Sequence, residues 1–513
     1  MTVTQIFGPP GCGKTTALMD ILEDELSSGT HPSQVAVCSF SRKAINEFKD
    51  RVTVRLNVDS KNFDHMRTLH STAFRALGLN KDDVMKRDDY EALGRMLGEV
   101  FTFDRNRPDD GTLLPWGHDK GGRYMAIIDR ARYRMVDIEE EWRFHQTFEM
   151  SQAKCRQIQD QMALYKTRMF KLDFVDMIQQ YVDSGGVPQL KLFILDEAQD
   201  LTPLQWEMAK KIAVNAERTF TAGDDDQAIH EWSGSEAKSF VSYGDERRIL
   251  TQSYRLPEAV FNLADRIVHR IRNRVPKEYH PKPEKGEVRW HNRLSDVPLA
   301  EGSITVMART NALATKLAGS IHDMGYYYSL RGKPPISEEK ITALSLWRTL
   351  ADGGSISAAE VADLYKSLPK QGPRAVLKRG ASSLLGTIFE EERMSASDLV
   401  EKYGMHEGAI ERDVFDVLGL GDQLSQYLRR IERTGEDLTK PPRIKVSTIH
   451  AMKGGEDDIC VLFTGVTKMI EETATMEAEH RVFYVGVTRA KRVLHIVEPP
   501  MYEGGRRNYR YEI

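Results

Sequence analysis

The 513-residue sequence predicts an α/β protein built on two parallel sheets, each interrupted by a mostly helical insertion. Three observations carry this expectation. Short apolar runs that end in polar residues alternate with helix-forming runs, the pattern of parallel strands joined by crossover helices. The first such run, Val3 to Phe7, leads directly into Gly8-Pro9-Pro10-Gly11-Cys12-Gly13-Lys14-Thr15-Thr16, a G-x-x-x-x-G-K-[ST] loop set between strand and helix. Twice the rhythm gives way to charged helical segments without buried strands, and twice it returns. A chain of this length also exceeds a single core and divides into about three or four domains.

Taken in order, the loop reads as a phosphate-binding site. Gly8, Gly11 and Gly13 permit backbone conformations that turn N–H groups inward, and the helix predicted over Thr16 to Leu26 adds the partial positive charge of its N-terminus. Lys14 reaches the β- and γ-phosphates as a point charge, the Thr15 hydroxyl completes a Mg²⁺ shell, and Thr16 closes the cradle. Val35 to Phe40 is a second strand leading to a helix through Val52, and Met66 to Ser71 a third with a helix over Thr72 to Leu77. Gly78 to Tyr165 reads as a helical insertion broken at Arg107–Gly111 and Gly121-Gly122, after which Leu190 to Leu195 and Arg218 to Ala222 resume the sheet. A second run begins near Ile249-Leu250, continues through Ile304 to Ala308 and Tyr326 to Leu330, and ends with Ile444 to Ser447, Ile459 to Phe463 and Leu494 to Val497. Between Pro335 and Pro442 lies the second helical insertion, and Gly504-Gly505-Arg506-Arg507 reads as a mobile basic tail. The expected units are therefore 1–78 with 166–248, 79–165, 249–334 with 443–513, and 335–442.

Composition excludes little. Apolar residues at 40% and charged residues at 29% fit a globular protein, and a net charge of −4 is compatible with a local basic groove. Cys12, Cys38, Cys155 and Cys460 are scattered and form no C-x-x-C pair, so neither a zinc site nor a disulfide framework is expected. The first strand begins almost at residue 1 and no apolar run is long enough to span a bilayer, so the expectation is a soluble cytoplasmic protein with no membrane partner.

Leu192-Phe193-Ile194-Leu195-Asp196-Glu197 delivers two carboxylates at the C-terminal end of an apolar strand, where ligands of open parallel sheets bind. Beside a phosphate loop the two acquire distinct roles. Asp196 holds the Mg²⁺ hydration shell and Glu197 orients and deprotonates the attacking water, because phosphoryl transfer needs positioning and charge neutralisation.

With these residues in place, Gly8 to Thr16, Phe193 to Asp200, Gly223-Asp224-Asp225-Asp226-Gln227 and Val485-Gly486-Val487-Thr488-Arg489-Ala490 resemble the ordered motifs of superfamily 1 helicases of the UvrD/PcrA/Rep type. The resemblance spans nearly the whole chain and implies two RecA-like motor domains with ATP in the cleft between them. It further implies that Gln227 senses the γ-phosphate, that Arg255 and Arg489 are arginine fingers, that Tyr254 stacks on adenine and that Glu456 contacts the ribose. Phe40, His70, Trp232, Arg309, Asn311 and His450 match positions lining the single-strand path, where aromatic faces stack on any base and arginine binds phosphate. The Gly-Asp-Asp-Asp-Gln, Thr448-Ile449-His450-Ala451-Met452-Lys453-Gly454 and Val-Gly-Val-Thr-Arg-Ala wording resembles the branch that moves 3′ to 5′.

The sequence departs from the family in three places. Only seven residues precede Gly8, where the family carries a glutamine-bearing adenine-recognition element, which implies loose base selectivity. His230, Glu231 and Ser233 stand where Tyr, Gly and Arg are usual, removing an aromatic and a positive contact, and Gly455 and Asp457 replace an apolar and an aromatic residue beside Glu456. The reading is an ATP- and Mg²⁺-dependent motor acting on single-stranded and tailed duplex DNA, a monomer off DNA, with replication or repair proteins as partners. The alternative is a DNA-dependent ATPase that displaces bound proteins without processive unwinding.

Overall fold

A computed structural model of the chain describes residues 2–103, 116–117, 119–143, 150–369, 371–372, 375–385, 392–503 and 506–513. The predicted break at Arg107–Gly111 and the Gly504-Gly505 pair lie outside these residues.

The first sheet contains β1 (Thr2–Phe7), β2 (Val35–Ser39), β3 (His65–Thr68), β4 (Leu190–Asp196), β5 (Ala216–Gly223) and β6 (Glu246–Ile249). All are parallel, in the order β3-β2-β4-β5-β1-β6. Strand alternation sends successive side chains to opposite faces, so both faces become cores. Ile6, Leu192 and Ile194 pack with Leu18, Leu22, Ile45 and Phe48 from helices Lys14–Ser27 and Arg42–Leu56. Phe7, Phe193 and Leu195 pack on the other side against Leu204, Met208 and Ile212 of helix Pro203–Ala213. Local chemistry sets the helix ends. Ser41 caps Arg42–Leu56 through the Ala44 N–H (3.2 Å), and Thr202 with Gln205 forms a capping box in front of Pro203.

The second sheet uses β7 (Glu287–His291), β8 (Ile304–Ala308), β9 (Tyr328–Leu330), β12 (Ile444–Thr448), β13 (Asp457–Phe463) and β15 (Ala490–Val497), again all parallel, in the order β7-β15-β13-β8-β12-β9. Helices Glu258–Val268 and Met476–Val487 cover one face and helix Asn311–Met324 the other. Each intervening helical region also owns a core: Tyr90, Leu93, Ile128 and Ile158 in the first, Trp347, Leu350, Leu364 and Met405 in the second.

Three expectations need correction. Ile249 does not begin the second α/β run: Glu246–Ile249 is an exposed edge strand of the first sheet, paired with β1, and its Glu-Arg-Arg-Ile sequence lacks the apolar signature of a buried strand. The second sheet instead starts at β7, another largely exposed edge strand with no apolar run to mark it. The second insertion is mostly helical and carries one short antiparallel pair, β10 (Ser355–Ser357) with β11 (Arg393–Ser395). The basic end is anchored as well. β16 (Tyr502–Glu503) pairs with β17 (Arg506–Arg507), β14 (Gly465–Val466) pairs with β18 (Tyr509–Arg510), and Tyr511 stacks on Phe483 with ring centroids 4.1 Å apart. Among the described residues no helix is long and apolar enough to cross a membrane.

Candidate functional site

The glycine-rich loop leaves β1 at its C-terminal edge. Gly8 N–H donates to the Gly223 carbonyl (3.0 Å) and Cys12 N–H to that of Pro9 (3.1 Å). Gly13, in the left-handed region at φ 77°, is the N-cap of helix Lys14–Ser27, and no side chain caps that end, which leaves its first N–H groups aimed at the loop's interior. Gly11 (φ 73°) is needed twice over: its conformation strains any L side chain, and a Cβ there would come within 2.3 Å of Arg255 Cβ. The segment around Arg255 thus lies directly on the loop, with Ser253 Oγ donating to the Pro10 carbonyl (2.7 Å) and Tyr254 N–H to that of Gly11 (2.9 Å). The Tyr254 ring is 75% exposed, presenting a face to solvent beside Gly13. Lys14 Nζ donates to the Gly8 carbonyl (2.7 Å); Thr15 is half-buried and Thr16 exposed.

β4 ends in Asp196, buried and in register with Ser39 of β2. Glu197 adopts a left-handed conformation (φ 52°), rare for a residue with a side chain and a form of strain found at functional sites. Its Oε2 accepts from Gln199 Nε2 (2.6 Å), and Gln199 Oε1 in turn accepts from Asp224 N–H (3.0 Å). A Cβ on Gly223 would stand 2.4 Å from that same oxygen, so the glycine keeps the bridge in place. Burial pushes the Glu197 carboxyl up, but Lys14, Lys453 and the Gln199 hydrogen bond outweigh it and hold the group below its ordinary value. Burial, with the neighbouring Glu197 charge, pushes Asp196 the other way. Asp196 and Ser39, paired in register across β4 and β2, offer oxygens of the kind Mg²⁺ takes, and Ser39 Oγ is buried with no hydrogen-bond partner among the described residues. The residues present therefore fit a magnesium–nucleotide.

The cleft is closed from the side of the second sheet. Arg489, at the end of helix Met476–Val487, is 1% exposed and bonds neutral acceptors: Val485 O (2.8 Å), Gly455 O (3.2 Å), Thr488 Oγ1 (3.0 Å) and Gln227 Oε1 (2.9 Å). Burial, then the nearby Arg255 charge, lowers its guanidinium to about 9. Such a cation still carries its proton at neutral pH and calls for an anion. Gln227 is fixed from its other end by Asp224 Oδ2 (2.6 Å). Arg255 Nε donates to Glu456 Oε2 (2.6 Å), so the two residues expected to meet the γ-phosphate and the ribose are engaged with each other. Lys453 bridges the halves by donating to Asp200 (2.5 and 2.6 Å) and to the Gln227 carbonyl (2.6 Å). Asp457, where the resemblance expects an aromatic, instead accepts from Ser303 and Thr305 (both 3.0 Å) at the start of β13.

Residues 2–246 match the UvrD/REP helicase N-terminal domain and residues 412–498 the UvrD-like helicase C-terminal domain. The chain belongs to the UvrD/PcrA/Rep type of superfamily 1 helicases. It is 22% identical to the putative ATP-dependent DNA helicase YjcD of Bacillus subtilis, aligned over 98% of this chain and 78% of that protein. The same identity, 22%, relates it to B. subtilis ATP-dependent DNA helicase PcrA over 96% of this chain and 80% of the relative. Against ATP-dependent DNA helicase srs2 of Schizosaccharomyces pombe it is 22% over 76% of this chain and 48% of the relative.

The positions matched to this family's DNA path divide into two groups. Phe40, Trp232 and His450 gather around His230, whose ring centroid lies 5.3, 6.0 and 6.3 Å from theirs. At His230 the resemblance implies a lost aromatic; the structure shows the imidazole ring at the centre of the cluster, and its place between Gln227 and Trp232 is the sequence signal for it. Trp232 is 42% exposed, whereas Phe40 is mostly buried. Beside Ser233, Arg130 of the first insertion donates to the Trp232 carbonyl (3.2 Å) and pairs with buried Glu141 (2.7 Å). His70 stands apart, buried with Nε2 3.1 Å from the Tyr133 hydroxyl and its ring edge-on to Phe174, so its imidazole is enclosed by packing. Arg309 is gripped by Glu479 through three contacts of 2.8 to 3.1 Å, and Asn311, half-exposed, opens helix Asn311–Met324.

Proposed function

We propose that the chain is an ATP-dependent DNA helicase that moves 3′ to 5′ on single-stranded DNA, hydrolysing ATP with Mg²⁺ between its two sheet domains and unwinding duplex ahead of it. The observation that carries this reading is the convergence of Lys14, Glu197 and Gln227 from the first sheet domain with Arg255 and Arg489 from the second, one seam away from the ring cluster at Trp232.

The residues divide the work as follows. The loop N–H groups and Lys14 bind the phosphates, which requires Lys14 Nζ to leave the Gly8 carbonyl. Thr15 and Asp196 would hold the metal, whose positive charge would offset the negative charge developing on the phosphoryl oxygens. Glu197, kept ionised by Lys14 and Lys453, accepts the proton of the attacking water. Arg489 gains the anion that its buried guanidinium lacks, and Arg255 exchanges Glu456 for phosphate when the cleft tightens. Because these arginines ride on the second domain, hydrolysis is tied to closure, and closure moves His450 relative to Phe40 and Trp232. Alternating grip and release on stacked bases then drives sequence-tolerant translocation. Polarity rests on the resemblance of the Gln227, His450 and Arg489 motifs to the 3′-to-5′ branch.

ATP hydrolysis measured with and without single-stranded DNA tests the core of this reading. Strong stimulation is expected; hydrolysis indifferent to DNA would leave an ATP-driven switch and overturn the motor.

A further inference from the structure

Asp224, Asp225 and Asp226 follow β5 and bring carboxylate oxygens within 4.8 Å of one another, a spacing suited to a cation. A protein cation already fills it. Lys277 Nζ lies 3.2 Å from Asp224 Oδ1 and 2.8 Å from Asp226 Oδ2 and also contacts Asp225, with its side chain 1% exposed. Arg274 adds a bidentate pair to Asp226 (2.7 and 2.7 Å), Val275 N–H reaches Asp225 Oδ2 (2.7 Å), and Arg481 Nε reaches the Asp225 carbonyl (3.1 Å). Burial alone would lower the lysine; the three carboxylates reverse this and hold it above its ordinary range. All three acids come from the first sheet domain. All three cations come from the far side of the cleft, two from the segment after helix Glu258–Val268 and one from helix Met476–Val487.

This cluster meets the catalytic seam at Asp224, whose N–H donates to Gln199 Oε1 (3.0 Å) and whose carboxylate accepts from Gln227. The Asp224 carboxylate is divided, Oδ1 toward Lys277 and Oδ2 accepting from Gln227 Nε2 (2.6 Å), and Gln227 Oε1 accepts from Arg489 (2.9 Å). We propose that Lys277, supported by Arg274, is a positioning residue for ATP hydrolysis: it fixes Asp224 and thereby holds the Gln227 side chain toward Arg489. Separating the two sides here would strand buried charges.

The proposal rests on the reading of the cleft as an ATP-hydrolysing motor, and its test separates the two. Full-length Lys277→Met, Lys277→Arg and Arg274→Gln are compared with the unaltered chain for DNA-stimulated kcat, KM for ATP, binding of a fluorescent ADP analogue, and melting temperature. Misplacing Gln227 by a fraction of an ångström to an ångström should cut kcat about 10- to 100-fold in Lys277→Met, while ADP-analogue affinity stays within about twofold because the phosphate loop is untouched. Lys277→Arg, which keeps the charge, should recover part of the loss. If Lys277→Met does not fold, Arg274→Gln carries the test, since its side chain sits at the rim of the cluster (11% exposed); kcat should fall with KM unchanged. Variants that melt lower but retain kcat and DNA stimulation would show a purely structural cluster and overturn the proposal alone. An unaltered chain without DNA-stimulated hydrolysis would overturn the motor reading and this proposal with it.

Discussion

Replacing Arg489 by methionine removes a buried guanidinium while keeping its apolar stem. In the nucleotide-free protein two effects oppose each other. Lowering the guanidinium from 12.5 to about 9 corresponds to about 5 kcal/mol of uncompensated charge, which the substitution relieves. Against it stand four hydrogen bonds from the charged guanidinium, to Val485, Gly455, Thr488 and Gln227, worth about 1.5–3 kcal/mol each. The bonds outweigh the relief, so the melting temperature without nucleotide should fall. Catalysis has no such compensation: a lost arginine finger costs about 10³-fold or more in turnover. Thermal stabilisation by a non-hydrolysable ATP analogue should shrink as well, because the anion no longer relieves a buried cation. The assay pairs thermal scans with and without the analogue against steady-state ATPase. Turnover within tenfold of the unaltered protein, together with undiminished stabilisation by the analogue, would refute the role given to Arg489.

Three further outcomes follow from the same geometry. Lys14→Ala should abolish turnover through loss of phosphate binding, whereas Glu197→Gln should abolish turnover but still bind nucleotide; equilibrium binding of a fluorescent nucleotide distinguishes them. Trp232→Ala should weaken single-strand binding by about 1–3 kcal/mol and reduce DNA stimulation of the ATPase, read by fluorescence anisotropy and steady-state kinetics. Burial, with a contribution from Arg42, lowers His70 to about 4 from 6.5, so the unfolded chain takes up this proton first and stability should be full above about pH 6.5 and fall toward pH 4; melting scans should show His70→Gln losing less stability than the unaltered chain over that window.

The sequence made the two α/β sheets legible because buried parallel strands such as Leu190–Asp196 and Ile304–Ala308 are nearly continuous apolar runs. The edge strands β6 and β7 were not legible, since exposed residues on a sheet margin carry no apolar pattern and Glu246–Ile249 is defined only by its pairing with β1. At the site, the phosphate loop and Asp196-Glu197 announce themselves by local spacing. The roles of Lys277, Arg274 and Lys453 depend on partners about 50 to 250 residues distant along the chain, and no local pattern records such a meeting. His70 shows the converse: motif position placed it on the track, but packing beneath Tyr133 and Phe174 encloses it. Ser39 was invisible because an orphaned hydroxyl is a property of the folded neighbourhood.

The central claim is a motor of defined direction, and strand displacement on matched duplexes bearing either a 3′ or a 5′ single-stranded tail tests it most directly. ATP-driven unwinding of the 3′-tailed substrate alone is the predicted result. Unwinding confined to the 5′-tailed substrate would contradict the polarity, and DNA-stimulated hydrolysis without displacement of either would contradict the helicase itself.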